Sequence, residues 1–145
     1  MITITQEQIK EMAESLDAGF KCYWNKTNGE LLLLPDFSKF GDMDLDEEDE
    51  QINDFEENFF NYKEFIAMNS NESFEIMSDF TDTLDDSNKL KKLLINALNM
   101  KKPFSKFKNI IDNSGPVREQ WFKFKNDCMI RWVEQQVEEF MNDEE

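Results

Sequence analysis

The sequence predicts an α+β fold: a small antiparallel sheet, made of a hairpin plus one strand, with a mostly helical C-terminal half. The hairpin is indicated by FKCYWN and ELLLLP on either side of KTNG, where Asn28 and Gly29 supply the positive φ that a tight turn needs. A further short apolar run, EFIAM at residues 64–68, has the length of a strand, and beyond it apolar residues recur only with helical spacing. The predicted strands therefore span about residues 20–25, 30–34 and 64–68.

One helix is predicted before the hairpin. Thr5 fits the N-cap, and Gln8 stands three residues later, which is the spacing of a capping box. Gly19 can end this helix, because glycine readily takes the left-handed conformation found just after a helix. The inward stripe consists of Ile9, Met12, Ala13 and Leu16.

Three further helices lead towards the C-terminus. In SNESFEIMSDFTDTLDD the predicted N-cap is Asn71. The third of these helices begins at Pro103, since proline suits a first helical turn. The second, DSNKLKKLLINALN, is predicted to direct one apolar face inward, made of Leu90, Leu93, Leu94, Ala97 and Leu98.

The last helix follows Gly115 and Pro116 and carries a wide apolar arc. An arc of this width is typical of a helix that is covered on two sides. We therefore expect it to be central and to hold the two halves together through Trp121, Phe124 and Trp132.

The stretch NMKKPFSKFKN, residues 99–109, combines phenylalanines with lysines. Phe104, Phe107 and Ile111 are spaced i, i+3, i+7 and share one helix face, which predicts that the rings are buried. The predicted structural core comprises Trp121, Phe104, Phe107, Phe124 and Trp132. The lysines of this region form either a solvated surface or a binding patch, whose candidate members are Lys89, Lys92, Lys101, Lys102, Lys106 and Lys108.

Charge is distributed unevenly along the 145 residues, whose net charge is −16. Residues 36–57 hold eleven acids and one lysine, whereas residues 88–131 hold eleven bases and three acids. The length fits one domain. We predict a single domain over residues 1–145, with an acidic insertion at 36–60 whose mobility the sequence leaves open.

The residue types present argue against catalysis and metal binding. The chain has no histidine, which removes the usual general base, the Ser-His-Asp and Cys-His arrangements, and most zinc sites. Asp42, Asp44 and Asp46 have the spacing of a calcium loop, but Glu47 and Asn53 stand where glycine and glutamate are needed. We predict no catalytic residue, no metal site and no cofactor.

The cysteine pattern indicates a reducing compartment. Cys22 and Cys128 lie far apart, form no CxxC pair and follow no secretory signal. The longest apolar run, residues 31–34, is too short to cross a bilayer. A cytoplasmic protein without membrane association is expected, and its oligomeric state is left open.

Four stretches resemble, in this order, a bacterial family of unknown function, uncharacterised protein family one hundred and fifty-eight. They are YWNKTNGELLLLP, SFEIMSDFTDTLDD, KLKKLLINALNMKKPFSKFKNII and REQWFKFKNDCMIRWVEQQVEE, and the similarity spans roughly residues 5–140. Its most specific part is the match at Phe104, Lys106, Phe107 and Lys108. The resemblance implies a shared fold and brings no known activity.

The predicted function is that of a small cytosolic, non-enzymatic protein-binding module with segregated acidic and basic surfaces, whose protein partner is unknown. Residues 42–57 either present a negative surface to a basic partner or fold onto the basic helices and screen them. The alternative is a nucleic-acid-associated or regulatory protein with a local lysine patch, which the net charge of −16 disfavours. An enzyme of unknown type is the third hypothesis for the function.

Overall fold

A computed structural model describes residues 3–35 and 50–143 of the chain. Within them the chain forms a three-stranded antiparallel sheet and six α-helices, which confirms the predicted α+β class. The elements, in chain order, are α1 (Gln6–Asp17), β1 (Phe20–Asn25), β2 (Leu31–Pro35), α2 (Glu50–Glu57), a short 3₁₀ helix (Phe59–Asn61), β3 (Tyr62–Phe65), α3 (Ser70–Asp82), α4 (Lys89–Leu98), α5 (Pro103–Asp112) and α6 (Pro116–Asp143). None of the helices in this described part combines the length and apolar character that a membrane span requires.

The chain divides into two compact units. The first comprises Met1–Ala67 with Met129–Glu145, and the second comprises Met68–Cys128. The predicted single domain over residues 1–145 stays a prediction. Residues 36–49 of the predicted acidic insertion lie outside the described residues, and so does the calcium-like run of Asp42, Asp44 and Asp46.

The sheet of the first unit has the order β2-β1-β3, with β1 central. Tyr23 is the register partner of Leu32 on one side and of Glu64 on the other. The hairpin turn follows its predicted chemistry at Gly29, which takes a φ of 76° and whose amide donates to the Asn25 carbonyl at 2.8 Å. Asn28, which was predicted to share the positive φ, does not take one.

Strand β3 ends at Phe65, so the prediction of a strand over residues 64–68 is shifted by a few residues. The reason lies in the backbone of Ile66, whose amide donates to Gln136 Oε1 at 2.9 Å. The Ile66 carbonyl accepts from Trp132 Nε1 at 2.7 Å and from Gln136 Nε2 at 2.9 Å. These side chains of α6 replace the partner that a longer strand would need.

Helix α1 begins as predicted, with both hydrogen bonds of a capping box between Thr5 and Gln8, each 3.1 Å long. Its predicted inward stripe is buried. The core of this unit also contains Cys22, Trp24, Leu32, Phe65, Val133 and Phe140. Phe140 makes T-shaped contacts with both Trp24 and Phe65, with ring centroids 5.8 and 6.4 Å apart.

In the second unit, helix α3 begins at an N-cap other than the predicted Asn71. The cap is Asn69, whose side chain accepts from the Glu72 amide at 2.9 Å, while Glu72 Oε1 accepts from the Asn69 amide at 3.2 Å. Asn69 is the better cap because a glutamate, which can complete a capping box, stands three residues after it, whereas Phe74 stands three residues after Asn71.

The aromatic core of the second unit is built around Trp121. Its ring lies 5.0 Å from that of Phe107 and 5.3 Å from that of Phe80. Phe107 and Trp121 are 1% and 8% exposed, and half-buried Phe124 packs against the same cluster. Trp132 belongs to the first unit, where it is half-buried and bonded to the Ile66 carbonyl.

Phe104 does not lie in the core, because 43% of its surface is exposed, and its predicted burial is wrong. The buried and half-buried positions of α5 are Pro103, Lys106, Phe107, Ile110 and Ile111. At about 100° per residue, this arc is centred between Phe107 and Ile110. Phe104 lies at the edge of that arc and in the first turn, so it shares the apolar spacing without sharing the covered face.

Candidate functional site

The candidate site is a groove between helices α4 and α5, which are joined by residues 99–102. The groove has a volume of about 340 Å³ and is open to solvent. Its lining combines aliphatic, amide and lysine side chains, namely Leu93, Asn96, Ala97, Met100, Lys106, Asn109 and Ile110.

Local sequence explains why these two helices leave a groove. Asn88 caps α4 by accepting from the Leu90 amide at 2.9 Å, and Leu94 and Ala97 are its buried residues. Ala97 is small, so the helix surface at that point fills little of the space beside α5. The turn closes at Lys102, whose φ of 55° is left-handed, and Pro103 then starts α5.

Two aliphatic side chains on the groove are unusually open to water. Leu93 is 54% exposed and Met100 is 55% exposed. Leu93 was expected on the inward face of α4, and that expectation is wrong. Leu94 and Ala97 define the buried face, and Leu93 lies about 100° away from Leu94 around the helix.

The structure places the candidate lysines on several faces. Lys106 lines the groove and is half-buried, whereas Lys89, Lys92, Lys101, Lys102 and Lys108 are exposed. Lys108 stands two residues after Lys106, so it points about 200° away around α5. The six lysines of the predicted patch therefore lie on and around the groove, and one of them, Lys106, lines it directly.

The segment that carries these lysines is poor in acids. Residues 89–112 contain seven lysines and one acid, Asp112, which pairs with Arg118 at 3.5 Å. Lys91, which was not among the candidates, bonds Asp86 at 2.6 Å. That hydrogen bond raises the pKa of Lys91 and lowers the pKa of Asp86. By formal charge, residues 89–112 therefore carry a local excess of positive charge.

The groove itself was missed in the sequence, although a signal for it was present. The segment LLINALNM carries apolar residues on more than one side of α4, including Ile95, which is 40% exposed. One neighbouring helix cannot cover an arc of that width. The surplus apolar side chains indicated a second contact surface.

Comparisons with known proteins give a family and no relative of known function. No curated protein matches the chain, and no solved structure matches it either. One family model matches over residues 1–145, and it agrees with the resemblance found in the hairpin and in the helical half. The chain thus belongs to the Uncharacterised protein family (UPF0158).

Proposed function

We propose that this protein is a cytosolic, non-enzymatic binding module whose α4–α5 groove takes an acidic amphipathic segment of a partner protein. The observation that supports this is the pairing of exposed Leu93 and Met100 with Lys106 on one open groove. Apolar anchors with a cationic border are complementary to a helix that carries leucine or phenylalanine on one face and acids beside it.

The apolar part of the groove would supply affinity. Full burial of one leucine or methionine side chain stabilises a complex by about 1.5–3 kcal/mol, and roughly half of that remains to be gained at Leu93 and Met100. Exposed apolar side chains that adjoin one another are typical of interaction surfaces on soluble proteins.

The charged part would supply orientation and association rate. Seven lysines against one acid in residues 89–112 create a positive field in a chain whose net charge is −16. Such a field speeds the approach of an acidic segment and weakens as salt is added. A nucleic acid would also meet this field, but the overall charge opposes it.

Reactive side chains offer little support for an enzyme. Cys22 is fully buried, and this burial raises the pKa of its thiol to about 12, so the nucleophilic thiolate is not populated near neutral pH. The lysines around the groove act here as charges for recognition.

The test uses acidic amphipathic peptides and two matched pairs of variants. Leu93→Glu is compared with Ile95→Glu, because both residues are exposed on α4 and Leu93 is the one that lines the groove. Lys106→Glu is compared with Lys108→Glu on α5 for the same reason. Binding is measured by fluorescence anisotropy at low and high salt, with a scrambled peptide of equal composition as the control.

Leu93→Glu and Lys106→Glu should each weaken binding about tenfold or more, which corresponds to about 1.4 kcal/mol, while Ile95→Glu and Lys108→Glu, which alter only the field around the groove, should weaken it clearly less. Equal losses in both members of a pair would refute the groove as the site. Tighter binding of a duplex or single-stranded nucleic acid than of the peptides, with the same dependence on Lys106, would contradict a protein partner. It would favour the alternative of a nucleic-acid-associated protein.

A further inference from the structure

A polar pocket lies in the first unit, between the β1–β2 turn and residues 54–61. It has a volume of about 430 Å³ and opens to solvent. Seven side chains of the described residues line it, and most of them are neutral and polar: Asn25, Thr27, Asn28, Asp54, Asn58, Phe60 and Asn61.

A hydrogen-bond network fixes the walls of this pocket. Asn25 is 5% exposed, and its Oδ1 accepts from the Thr27 amide at 2.8 Å and from Asn61 Nδ2 at 3.1 Å. Asn61 Nδ2 also donates to Thr27 Oγ1 at 2.7 Å. The turn and the 3₁₀ helix are thereby joined through side chains, which holds the amide groups in place before any ligand arrives.

The one carboxylate among the described lining residues is also held in a fixed orientation. Asp54 accepts from Asn58 Nδ2 at 3.0 Å and from the Tyr62 hydroxyl at 2.5 Å. Burial and the neighbouring Asp54 raise the pKa of Tyr62 to about 12, so the phenol keeps its proton and remains a donor. Phe55 packs on Tyr62 with ring centroids 5.2 Å apart and so supports this arrangement.

Several polar atoms remain available to a ligand. Asn28 Nδ2, Asn58 Oδ1 and Asn61 Oδ1 have no hydrogen-bond partner among the described residues. Together they offer two amide acceptors and one amide donor. The Asp54 carboxylate adds acceptor capacity beyond its two present bonds.

An exposed aromatic side chain adjoins these polar groups. Phe60 lines the pocket and is 71% exposed. A hexose presents hydroxyl groups at its edge and a patch of C–H groups on its face. The hydroxyls match the amides and the carboxylate, and the C–H patch matches the ring.

We propose that this pocket binds a neutral sugar, with the C–H face of the sugar on Phe60 and its hydroxyl groups on Asn28, Asn58, Asn61 and Asp54. The charges favour a neutral ligand, because the described lining residues include one carboxylate and no base, so a phosphate or carboxylate group would be repelled. The volume of about 430 Å³ accommodates a ligand of this size, and ligand pockets generally begin near 300 Å³.

The experiment titrates the isotope-labelled chain with neutral hexoses and N-acetylhexosamines at millimolar concentration and follows the side-chain amide signals by NMR. The signals of Asn28, Asn58 and Asn61 should shift in a saturable way with at least one sugar. Adenosine serves as a comparison ligand, since it also has an apolar face and polar edges but a different shape.

Two variants of the 3₁₀ helix separate recognition from folding. Phe60 and Phe59 are 71% and 67% exposed, so replacing either by alanine leaves the core intact, yet Phe60 is the one that lines the pocket. Phe60→Ala should weaken sugar binding about tenfold, and Phe59→Ala should leave it within about twofold. Unshifted pocket amides with every sugar, equal losses in the two variants, or tighter binding of adenosine would each overturn the proposal.

Discussion

Replacing Phe107 by alanine should destabilise the second unit strongly. The side chain is 1% exposed and its ring lies 5.0 Å from that of Trp121. Removing the ring forfeits about 2–3 kcal/mol of apolar burial. The hole left beside Trp121 adds a cavity term, because the surrounding side chains relax only partly, and the total reaches about 3–5 kcal/mol.

Phe104→Ala is the matched control, since it removes the same atoms from the same helix. Phe104 is 43% exposed, so about half of the burial term is present, and water can occupy the space that the ring leaves. We expect a cost of about 1 kcal/mol. The difference between the two variants therefore measures what the covered face of α5 contributes.

Urea denaturation followed by circular dichroism gives both free energies of unfolding. The midpoint should fall sharply for Phe107→Ala and slightly for Phe104→Ala, with an unchanged dependence on urea concentration. Equal destabilisation by the two substitutions would show that Phe104 is as well covered as Phe107, and it would refute the placement of the buried arc.

Three other predictions concern the first unit and the acidic segment. Thr5→Ala should cost about 1 kcal/mol of stability in the same assay, because it removes the N-cap of α1, and an unchanged midpoint would contradict that role. Folding raises the pKa of Tyr62 from 10.0 to about 12, so the stability that this group contributes should be fully present below pH 10 and be lost as the pH rises from 10 to 12. Tyr62→Phe should lose this part of the pH dependence of the free energy of unfolding. A pH profile identical to that of the unsubstituted protein would contradict the prediction. Replacing the acids of residues 42–49 by amides should strengthen the binding of acidic peptides at low salt if these residues screen the lysines, and the gain should vanish once the Debye length falls well below about 10 Å; unchanged affinity would remove the screening idea.

The screening test targets residues 42–49 because of what the structure shows further along the segment. Phe55 packs on Tyr23 with ring centroids 4.5 Å apart, and Asp54 accepts from Tyr62. Deleting residues 42–57 would remove both contacts and destabilise the first unit, which would confuse a binding result with a folding result. Amide substitutions in residues 42–49 change the charge and leave these contacts in place.

Local signals in the sequence were sufficient for much of the fold. The Thr5 cap, the Asn28-Gly29 turn and the start of α5 at Pro103 each depend on residues within a few positions of one another, so one stretch of sequence determines them. The end of β3 could not be predicted in this way. It depends on Trp132 and Gln136, which lie some seventy positions away and whose side chains form hydrogen bonds with the Ile66 backbone.

The candidate site shows a different limit. Spacing identifies an apolar arc on a helix but does not say how much of that arc its neighbours cover. Leu93 and Phe104 carry the same spacing signal as buried Leu94 and Phe107, yet they are 54% and 43% exposed. Of the six candidate lysines, sequence alone could not identify Lys106 as the one on the groove, because that depends on how α4 and α5 pack.

These exposed side chains are informative because of where they occur. A sequence that is consistent with its fold buries the apolar faces it encodes, and departures are expected where function competes with stability. Leu93 and Met100 depart from that rule on the groove itself, beside a lysine. Leaving two large aliphatic side chains in water forfeits the stabilisation that their burial would give. The proposed partner would recover it instead, which is the physical reason for placing the proposed binding surface in this groove.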